Sequence, residues 1–193
     1  MEQNNIEVMA INPGNIFDRL RLCWGHLDDW KNLKIVQKSK EWLDETAALF
    51  KPTTFTAYED GVPVGMIEFL PQKSLRKLGL CPCRVDPESK ETPERYSLGE
   101  EFENYLFISC LLVSKENQRK GIGRTLLTHL LESEVIKDFN GVLVYVTKRD
   151  ETWDKHIHWP AGPKEFYLKM GFVVEKTLDD PAGYLLCYGK RSV

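Results

Sequence analysis

The N-terminal part of the chain combines a short strand pattern with longer helical patterns. An apolar run at residues 6–11 predicts a first strand, which an Asn-Pro-Gly turn signal closes at residues 12–14. A helical stretch follows the turn. Between residues 31 and 50, apolar positions recur at spacings that share one helical face: Val36, Leu43, Ala47 and Phe50.

A hairpin is the clearest local prediction. Two β-rich runs at residues 53–59 and 62–70 are joined by Asp60-Gly61, the dipeptide that supplies the positive φ angles of a tight turn. Prolines then interrupt the pattern from about residue 71 to residue 103, where a basic stretch gives way to an acidic one. We expect an irregular, insertion-like segment there, and a connection of that length is usually functional or mobile.

The middle of the chain predicts a strand, a helix and a second strand. Residues 105–113 form a nearly continuous apolar run, as expected for a strand buried on both faces and central in its sheet. A helical stripe begins close to Gly121, and residues 141–147 are again apolar. The stripe consists of Ile122, Leu126, Leu127, Leu130 and Leu131. This order predicts a βαβ crossover between parallel strands.

The C-terminal part predicts a long polar loop at residues 148–162, a short helix at 163–170 ended by Gly171, and two closing strands around 172–176 and 184–189. The whole pattern predicts one α/β domain of the α+β type over residues 1–193. Its mixed central sheet is flanked by helices, with antiparallel N-terminal strands and one parallel crossover.

Composition and charge narrow the class of protein. Hydrophobic residues make up 42% and charged residues 28% of the 193 residues, which is ordinary globular usage. The net charge of −3 gives no general attraction to nucleic acid or to an anionic membrane. No cationic start followed by an apolar stretch is visible, and the five scattered cysteines favour reduced thiols. We therefore expect a cytoplasmic protein.

The turn between the central strand and the following helix is the strongest candidate site. Unpaired N–H groups and the positive end of the dipole make a helix N-terminus suitable for an anion such as phosphate. Gly121 and Gly123 leave room for a ligand, and Arg119, Lys120 and Arg124 add positive charge. Glycines also make tight corners that bind nothing, so the pattern alone leaves both interpretations open.

Two known phosphate motifs do not fit the turn. A Walker loop requires Gly-Lys-Ser/Thr, whereas Gly123 is followed by Arg124-Thr125. A dinucleotide fingerprint requires a third glycine at the position of Leu126.

Two motifs in register resemble the GNAT acyltransferase superfamily. The stretch QRKGIG at residues 118–123 resembles its Gln/Arg-x-x-Gly-x-Gly/Ala motif, and FYLKMGF at residues 166–172 resembles its second signature. The resemblance implies a single GNAT-like domain over residues 1–193, with the insertion-like segment at about 71–103. It also implies an N-acetyltransferase that uses acetyl-coenzyme A as cosubstrate.

The resemblance further implies how the cosubstrate is held. The backbone N–H groups of residues 118–123 would bind its pyrophosphate, and the backbone of Leu111 and Val113 would bind its pantetheine arm. The N–H of Leu112 or of a neighbour on the same strand would bind the thioester oxygen. The expected binding residues are Leu111, Leu112, Val113, Gln118, Arg119, Lys120, Gly121, Ile122, Gly123 and Arg124.

Tyr167 lies where the family commonly places a general acid. A phenol with an ordinary pKa near 10 is protonated at neutral pH and is able to protonate a leaving thiolate. The alternative is that Phe166 and Tyr167 only pack the short helix on the sheet. We favour the acid role for Tyr167 and the packing role for Phe166.

The general base is harder to assign. The glutamate that some family members carry on the central strand falls at Phe107, which accepts no proton. We choose Glu68, because it is a carboxylate in an apolar run, although a solvated charge at a strand edge is the alternative. Glu103, His158 and Asp150 are the other candidates, acting directly or through water.

The cysteines suggest two further hypotheses. Cys110 would be able to accept an acetyl group, but a buried free cysteine is more often an inert core residue. Cys81 and Cys83 with His156 and His158 have the chemistry of zinc ligands, but the x-one spacing is atypical. A redox-sensitive thiol pair and a plain loop are the alternatives, and we predict no metal.

The acceptor is a small-molecule or peptide amine by the same resemblance, with no nucleic acid or membrane partner, in a monomer or homodimer. The acidic stretch at residues 86–103 would suit a cationic amine, although a solvated charge run is the commoner explanation. Because Phe107 stands where some family members carry the catalytic glutamate, one competing function stays open. It is a coenzyme A-binding sensor or interaction module that keeps the fold without catalysis.

Overall fold

The computed structural model describes residues 5–24, 33–79, 98–147, 163–179 and 182–189. The strands are β1 (Ile6–Ala10), β2 (Thr54–Glu59), β3 (Val62–Pro71), β4 (Leu106–Val113), β5 (Gly141–Thr147), β6 (Val173–Asp179) and β7 (Ala182–Gly189). The α-helices are α1 (Ile16–Trp24), α2 (Leu33–Leu49), α3 (Gln72–Leu78), α4 (Ile122–Glu132) and α5 (Lys164–Lys169).

One mixed sheet contains all seven of these strands, in the order β1-β2-β3-β4-β5-β7-β6. β4 and β5 are parallel, and the other neighbouring pairs are antiparallel. α4 connects β4 to β5, so the predicted βαβ crossover is confirmed. β4 is the fourth strand of seven, as its continuous apolar run predicted.

The β2–β3 hairpin turns where the sequence predicted. Asp60 has φ 51° and Gly61 has φ 77°, the left-handed pair of a two-residue hairpin loop. β2 and β3 then pair antiparallel from Thr54 opposite Glu68 to Glu59 opposite Val62.

Helices cover both faces of the sheet, and side chains that alternate along the strands divide between two main cores. The α4 face includes Ile67, Leu111, Leu126, Val144 and Tyr167. The α1 face, covered by α1 and α2, includes Leu20, Trp42, Phe107, Leu143 and Tyr145.

The expectation of an irregular segment from residue 71 is wrong for residues 72–78, which form α3. This seven-residue helix buries one apolar residue completely, Leu75. One buried position gives no repeating apolar pattern, so the sequence does not predict the helix. The helix ends at Gly79, which has φ 68°. A tertiary contact holds this end, since the indole N–H of Trp42 in α2 donates to the Gly79 carbonyl at 3.2 Å. Residues 80–97 lie outside the described part.

Within the described ranges, none of the helices has the length and apolar character needed to span a bilayer.

Leu126 tests the α4 face of the core, because its side chain is fully buried. Leu126→Ala should lower the free energy of unfolding by about 2–5 kcal/mol, from lost burial and an unfilled cavity. The exposed Glu132, on the same helix, provides the control: Glu132→Ala should change it by less than about 0.5 kcal/mol. Denaturant unfolding measures both, and equal losses would contradict this packing.

Candidate functional site

The two central strands separate at their C-terminal ends. β4 pairs with β5 only from Leu106 opposite Val142 to Ile108 opposite Val144. β4 continues to Val113, still paired with β3, and β5 continues to Thr147, still paired with β7. An opening therefore lies between two strands in the middle of the sheet, and the β5 side of residues 109–113 is an internal strand edge.

A β-bulge in β4 coincides with the start of this opening. Ile108 pairs with Phe69 and Cys110 with Glu68, so Ser109 is an extra residue on β4. A bulge bends the strand that carries it and increases its local twist. The bulge thus accounts for the direction in which β4 leaves β5.

The turn after β4 leads directly into the N-terminus of α4. A 3₁₀ turn at Lys115–Asn117 is followed by Arg119 with φ 65° and by Gly121 with φ 88°, the residue before the helix. Among the residues that the structure describes, no side chain caps α4. Within the described ranges, the backbone N–H groups of residues 119–124 have no hydrogen-bond acceptor. They form a row of free donors at the positive end of the helix dipole.

The two glycines of this turn have different causes. Gly121 is explained by its positive φ, which side-chain-bearing residues rarely adopt. Gly123 has no such angle, and a Cβ there would lie 3.8 Å from Val113 Cγ2 and 3.9 Å from Phe166 Cζ, at ordinary van der Waals separations. The chain's own packing therefore does not require glycine at 123, whereas a ligand close to the α4 amides would.

The basic side chains of the turn divide into two groups. Arg119 and Arg124 are exposed beside the free amides. The Lys120 ammonium group instead lies 2.6 Å from Asn117 Oδ1 and 3.7 Å from a carboxylate oxygen of Glu59. The Lys120 charge is therefore directed toward the end of β2, whereas both arginine side chains are exposed near the amides.

Gln118 links the turn to the end of β4, since its Nε2 donates to the Val113 carbonyl at 3.2 Å. A carbonyl oxygen has two lone pairs, so this bond does not prevent Val113 from accepting a second donor. Leu111, Leu112 and Val113 line the opening on β4, so the structure brings the predicted strand and turn residues to one end of the sheet.

Tyr167 is completely buried on the α4 face, in the same core as Leu111. Its ring makes edge-on contacts with Phe166 and Phe172, at centroid distances of 5.0 and 5.2 Å. Phe166 is half-buried and approaches Gly123. Packing is therefore observed for both aromatic residues, and the acid role of Tyr167 stays a prediction.

Glu68 is fully buried, so the alternative of a solvated strand-edge charge is wrong. Its carboxylate forms an ion pair with the equally buried Arg19 of α1. The hydroxyl of Ser109, the bulge residue, donates to Glu68 Oε1 at 2.7 Å. The base role of Glu68 stays a prediction. Its carboxylate already forms an ion pair with Arg19 and accepts a hydrogen bond from Ser109.

Sequence reasoning missed Arg19 and Ser109. One signal was present: Arg19 shares the buried face of α1 with Ile16 and Leu20, at the spacing of one helical face. An arginine on an apolar face and a glutamate in an apolar strand are candidates for each other's partner.

Helix α1 has a second polar contact with the sheet. The Tyr58 hydroxyl of β2 donates to Asp18 Oδ2 at 2.9 Å. Burial, together with the hydrogen bond to the Asp18 carboxylate, raises the pKa of Tyr58 to about 12. The phenol therefore stays protonated and a donor across the neutral range.

The remaining predicted residues are placed as follows. Phe107 is buried on the α1 face, paired with Leu70 and Leu143. Cys110 is a buried thiol packed with Leu22 and Met66, a setting typical of a core residue. Glu103 is exposed just before β4. The candidates that lie outside the described residues are Cys81, Cys83, Asp150, His156 and His158.

No cluster of three or more metal-ligating side chains occurs in the ranges that the structure describes. The zinc hypothesis rests on residues beyond those ranges.

Comparison with known families gives one match that covers most of the chain. The profile of the acetyltransferase (GNAT) family matches residues 19–172. No curated protein sequence matches the chain.

Solved structures share the fold at low sequence identity. The PaiA N-acetyltransferase from Thermoplasma acidophilum, in complex with coenzyme A, has a TM-score of 0.56 at 14% identity, over 96% of this chain and 99% of that one. A GNAT family acetyltransferase from Brucella melitensis, in complex with acetyl-CoA, has a TM-score of 0.53 at 14% identity. The match covers 98% of this chain and 90% of that one. Arabidopsis thaliana Naa50, in complex with the bisubstrate analogue CoA-Ac-MVNAL, has a TM-score of 0.54 at 16% identity. The match covers 96% of this chain and 99% of that one.

The different causes of the two glycines are testable without a ligand. Gly121→Ala should lower the free energy of unfolding by about 1–2 kcal/mol, because alanine is strained at a positive φ. Gly123→Ala should leave it unchanged or raise it by up to about 1 kcal/mol, because alanine favours the helix. Denaturant unfolding of the two variants measures the difference, and a large loss for Gly123→Ala would show that packing requires that glycine.

Proposed function

Since the chain belongs to the acetyltransferase (GNAT) family, we propose that it transfers the acetyl group of acetyl-coenzyme A to a primary amine by direct attack of the amine on the thioester. The observation that carries the proposal is Gly123: the fold does not need it, and it borders a row of free amides at a helix N-terminus. Coenzyme A and acetyl-CoA in the related crystal structures support the choice of cosubstrate.

The turn would hold the pyrophosphate. The amides of residues 118–123 are the proposed donors, although the Gln118 amide already donates to the Lys115 carbonyl at 3.5 Å. The N-terminus of α4 favours a negatively charged ligand. Arg119 and Arg124 are exposed on the same turn and would add charge-assisted hydrogen bonds. Lys120 would contribute through its backbone amide, since its side chain is already engaged by Asn117 and Glu59.

The internal edge of β4 would bind the pantetheine arm. An amide-containing chain is able to pair with a free strand edge as an added strand does, and Leu111 and Val113 lie on such an edge. When bound, acetyl-coenzyme A supplies an activated acetyl thioester. The donor to the thioester oxygen, where negative charge develops as the amine attacks, was expected to be the N–H of Leu112 or a neighbour. Leu112 is opposite Met66 in the register in which the Ser114 N–H donates to the Val64 carbonyl, so the Leu112 N–H points to β3. We therefore propose its neighbour Leu111, whose backbone faces the opening, as the donor.

Tyr167 is the proposed general acid for the leaving thiolate. Its ring lies within the α4-face core and contacts the rings of Phe166 and Phe172, and this packing restricts the position of the phenol. A fixed, protonated hydroxyl in a low-dielectric setting suits proton donation to a thiolate.

Removal of the amine's proton is assigned to Glu68 in the simplest version of the mechanism. For that role its carboxylate would have to accept a proton while Arg19 and Ser109 hold it. The proposed base would therefore act from a carboxylate that is held by an ion pair and a hydrogen bond.

The acceptor is proposed to be a small-molecule or peptide amine. The bisubstrate analogue of the Arabidopsis relative, which joins coenzyme A to a short peptide sequence, supports including peptides. The predictions of a cytoplasmic location and of a monomer or homodimer are retained. The competing function, a coenzyme A sensor, would require binding without turnover.

Gly123→Glu tests the cosubstrate site. A side chain and a negative charge beside the amides should weaken acetyl-coenzyme A binding by about a hundredfold or more, equivalent to losing two charge-assisted hydrogen bonds of ~1.5 kcal/mol each. Isothermal titration calorimetry measures the dissociation constant. Glu132→Ala, at the far end of α4, should bind as the wild type does. A Gly123→Glu protein with wild-type affinity would remove the turn from the site.

Tyr167→Phe tests the general acid. The change removes a hydroxyl but keeps the ring, so binding of acetyl-coenzyme A should persist while turnover falls by about a hundredfold or more. Release of free thiol across a panel of amines measures turnover. Tyr188→Phe is the matched control, because Tyr188 pairs with Val142 away from the opening. Binding by the wild type with no thiol release from any amine would favour the sensor.

A further inference from the structure

We propose that Arg19, Glu68 and Ser109 form a positioning network that fixes the β4 bulge, and thereby sets the direction in which the backbone of residues 110–113 faces the opening. The inference rests on the proposed function for its catalytic meaning. It assigns Glu68 a positioning role instead of the base role.

The network joins three separate elements in the interior. Arg19 belongs to α1, Glu68 to β3 and Ser109 to β4, and the first two side chains are both 0% exposed. An isolated buried charge is very costly, so each charge depends on the other being in place. The ion pair therefore ties α1 to β3 at one defined point.

Ser109 connects that point to the bulge. Its hydroxyl lies 2.7 Å from Glu68 Oε1 and 3.3 Å from the Glu68 carbonyl oxygen. Ser109 is the residue that has no register partner on β3, between the Phe69–Ile108 and Glu68–Cys110 pairs. The carboxylate thus holds the one residue whose displacement would remove the bulge.

The bulge sets which way every later residue of β4 points. Ser109 contacts Glu68 and Cys110 contacts Leu22 and Met66, so two successive side chains lie on the α1 face. In a regular strand they would point to opposite faces. Loss of the extra residue would shift the register by one and invert the strand beyond it.

Inversion would affect the proposed site directly. Backbone N–H and C=O groups alternate in direction along a strand, as side chains do. The Ser114 N–H donates to the Val64 carbonyl, so in the present register the backbone groups of Leu111 and Val113 face the opening, and a one-residue slip would turn them toward β3. It would also exchange the faces of Leu111, now in the α4-face core, and Leu112, now packed near Cys110.

An ion pair suits this task better than an apolar contact does. Replacement of a buried ion pair by well-packed apolar residues is often neutral or stabilising, so stability alone does not explain its presence. A hydrogen bond to a carboxylate limits the distance and direction at which the Ser109 hydroxyl lies, whereas apolar side chains would tolerate a slipped strand.

The first experiment compares Ser109→Thr with Ser109→Val, two side chains of nearly equal size that differ in the hydroxyl. Ser109→Val should raise the dissociation constant for acetyl-coenzyme A and lower kcat, each by about tenfold, as expected for one misdirected backbone donor. Ser109→Thr should stay close to the wild type. Equal behaviour of the two variants would overturn the proposal.

The second experiment separates positioning from base catalysis. A positioning role predicts that Glu68→Gln and Arg19→Met both weaken acetyl-coenzyme A binding and leave the shape of the pH–rate profile unchanged. A base role predicts a loss of kcat for Glu68→Gln with unchanged binding and loss of the acidic limb of the profile. That second pattern would overturn the proposal.

A double variant removes the risk that the single variants fail to fold. Arg19→Met with Glu68→Leu leaves no unpaired charge, so the protein should melt at or above the wild-type temperature while still binding acetyl-coenzyme A about tenfold more weakly. Tyr58→Phe is the control, because it removes the other polar contact between α1 and the sheet. It should lower the melting temperature without changing affinity. Wild-type affinity in the double variant would overturn the network's role.

Amide hydrogen exchange provides a readout that needs no ligand. In the ligand-free protein, Ser109→Val should change exchange at residues 110–113 by about tenfold or more, and Tyr58→Phe should not. Unchanged exchange in Ser109→Val would overturn the proposal. Wild-type protein that fails to bind acetyl-coenzyme A would instead reject the proposed function, and the exchange data would still decide the network.

Discussion

The structure depends on the separation of two parallel strands at the centre of its sheet. β4 and β5 pair only up to Ile108 and Val144, and both continue beyond that point with partners on their outer sides. A free strand edge normally lies at the border of a sheet, where water satisfies its polar groups. Here it lies inside the sheet, so its backbone groups are directed at the opening between β4 and β5.

The turn that follows β4 places a second set of backbone donors at the same end of the sheet. Because the strand leads into α4 within a few residues, its edge and the helix N-terminus are successive parts of one path. Such a path offers amides first to a neutral, amide-containing chain and then to an anion. Gly123 is the residue at which the requirements of the fold and those of the proposed ligand differ, which makes it more informative than Gly121.

Sequence patterns predicted the elements that local chemistry determines. The apolar run of β4, the stripe of α4 and the Asp60-Gly61 turn each specify their own structure, and the strand order followed from them. α3 was missed because its place depends on contacts with α2. The Arg19–Glu68 and Ser109–Glu68 contacts join residues 49 and 41 positions apart, and no local period reports such distances. The bulge was hidden for the same reason, since register is a property of two strands together.

Phe107 and Glu68 are best understood together. Phe107 precedes the bulge and packs between Leu70 and Leu143, so a carboxylate at that position would be buried among apolar neighbours. The carboxylate of this region lies instead on β3, where α1 supplies a guanidinium and the bulge supplies a hydroxyl. A general base needs a carboxylate oxygen within reach of the substrate's proton. A positioning group needs only to keep its hydrogen bonds and ion pairs. The contacts of Glu68 are those of a group that is kept in place, and we therefore infer that its charge organises the site that the neighbouring backbone uses.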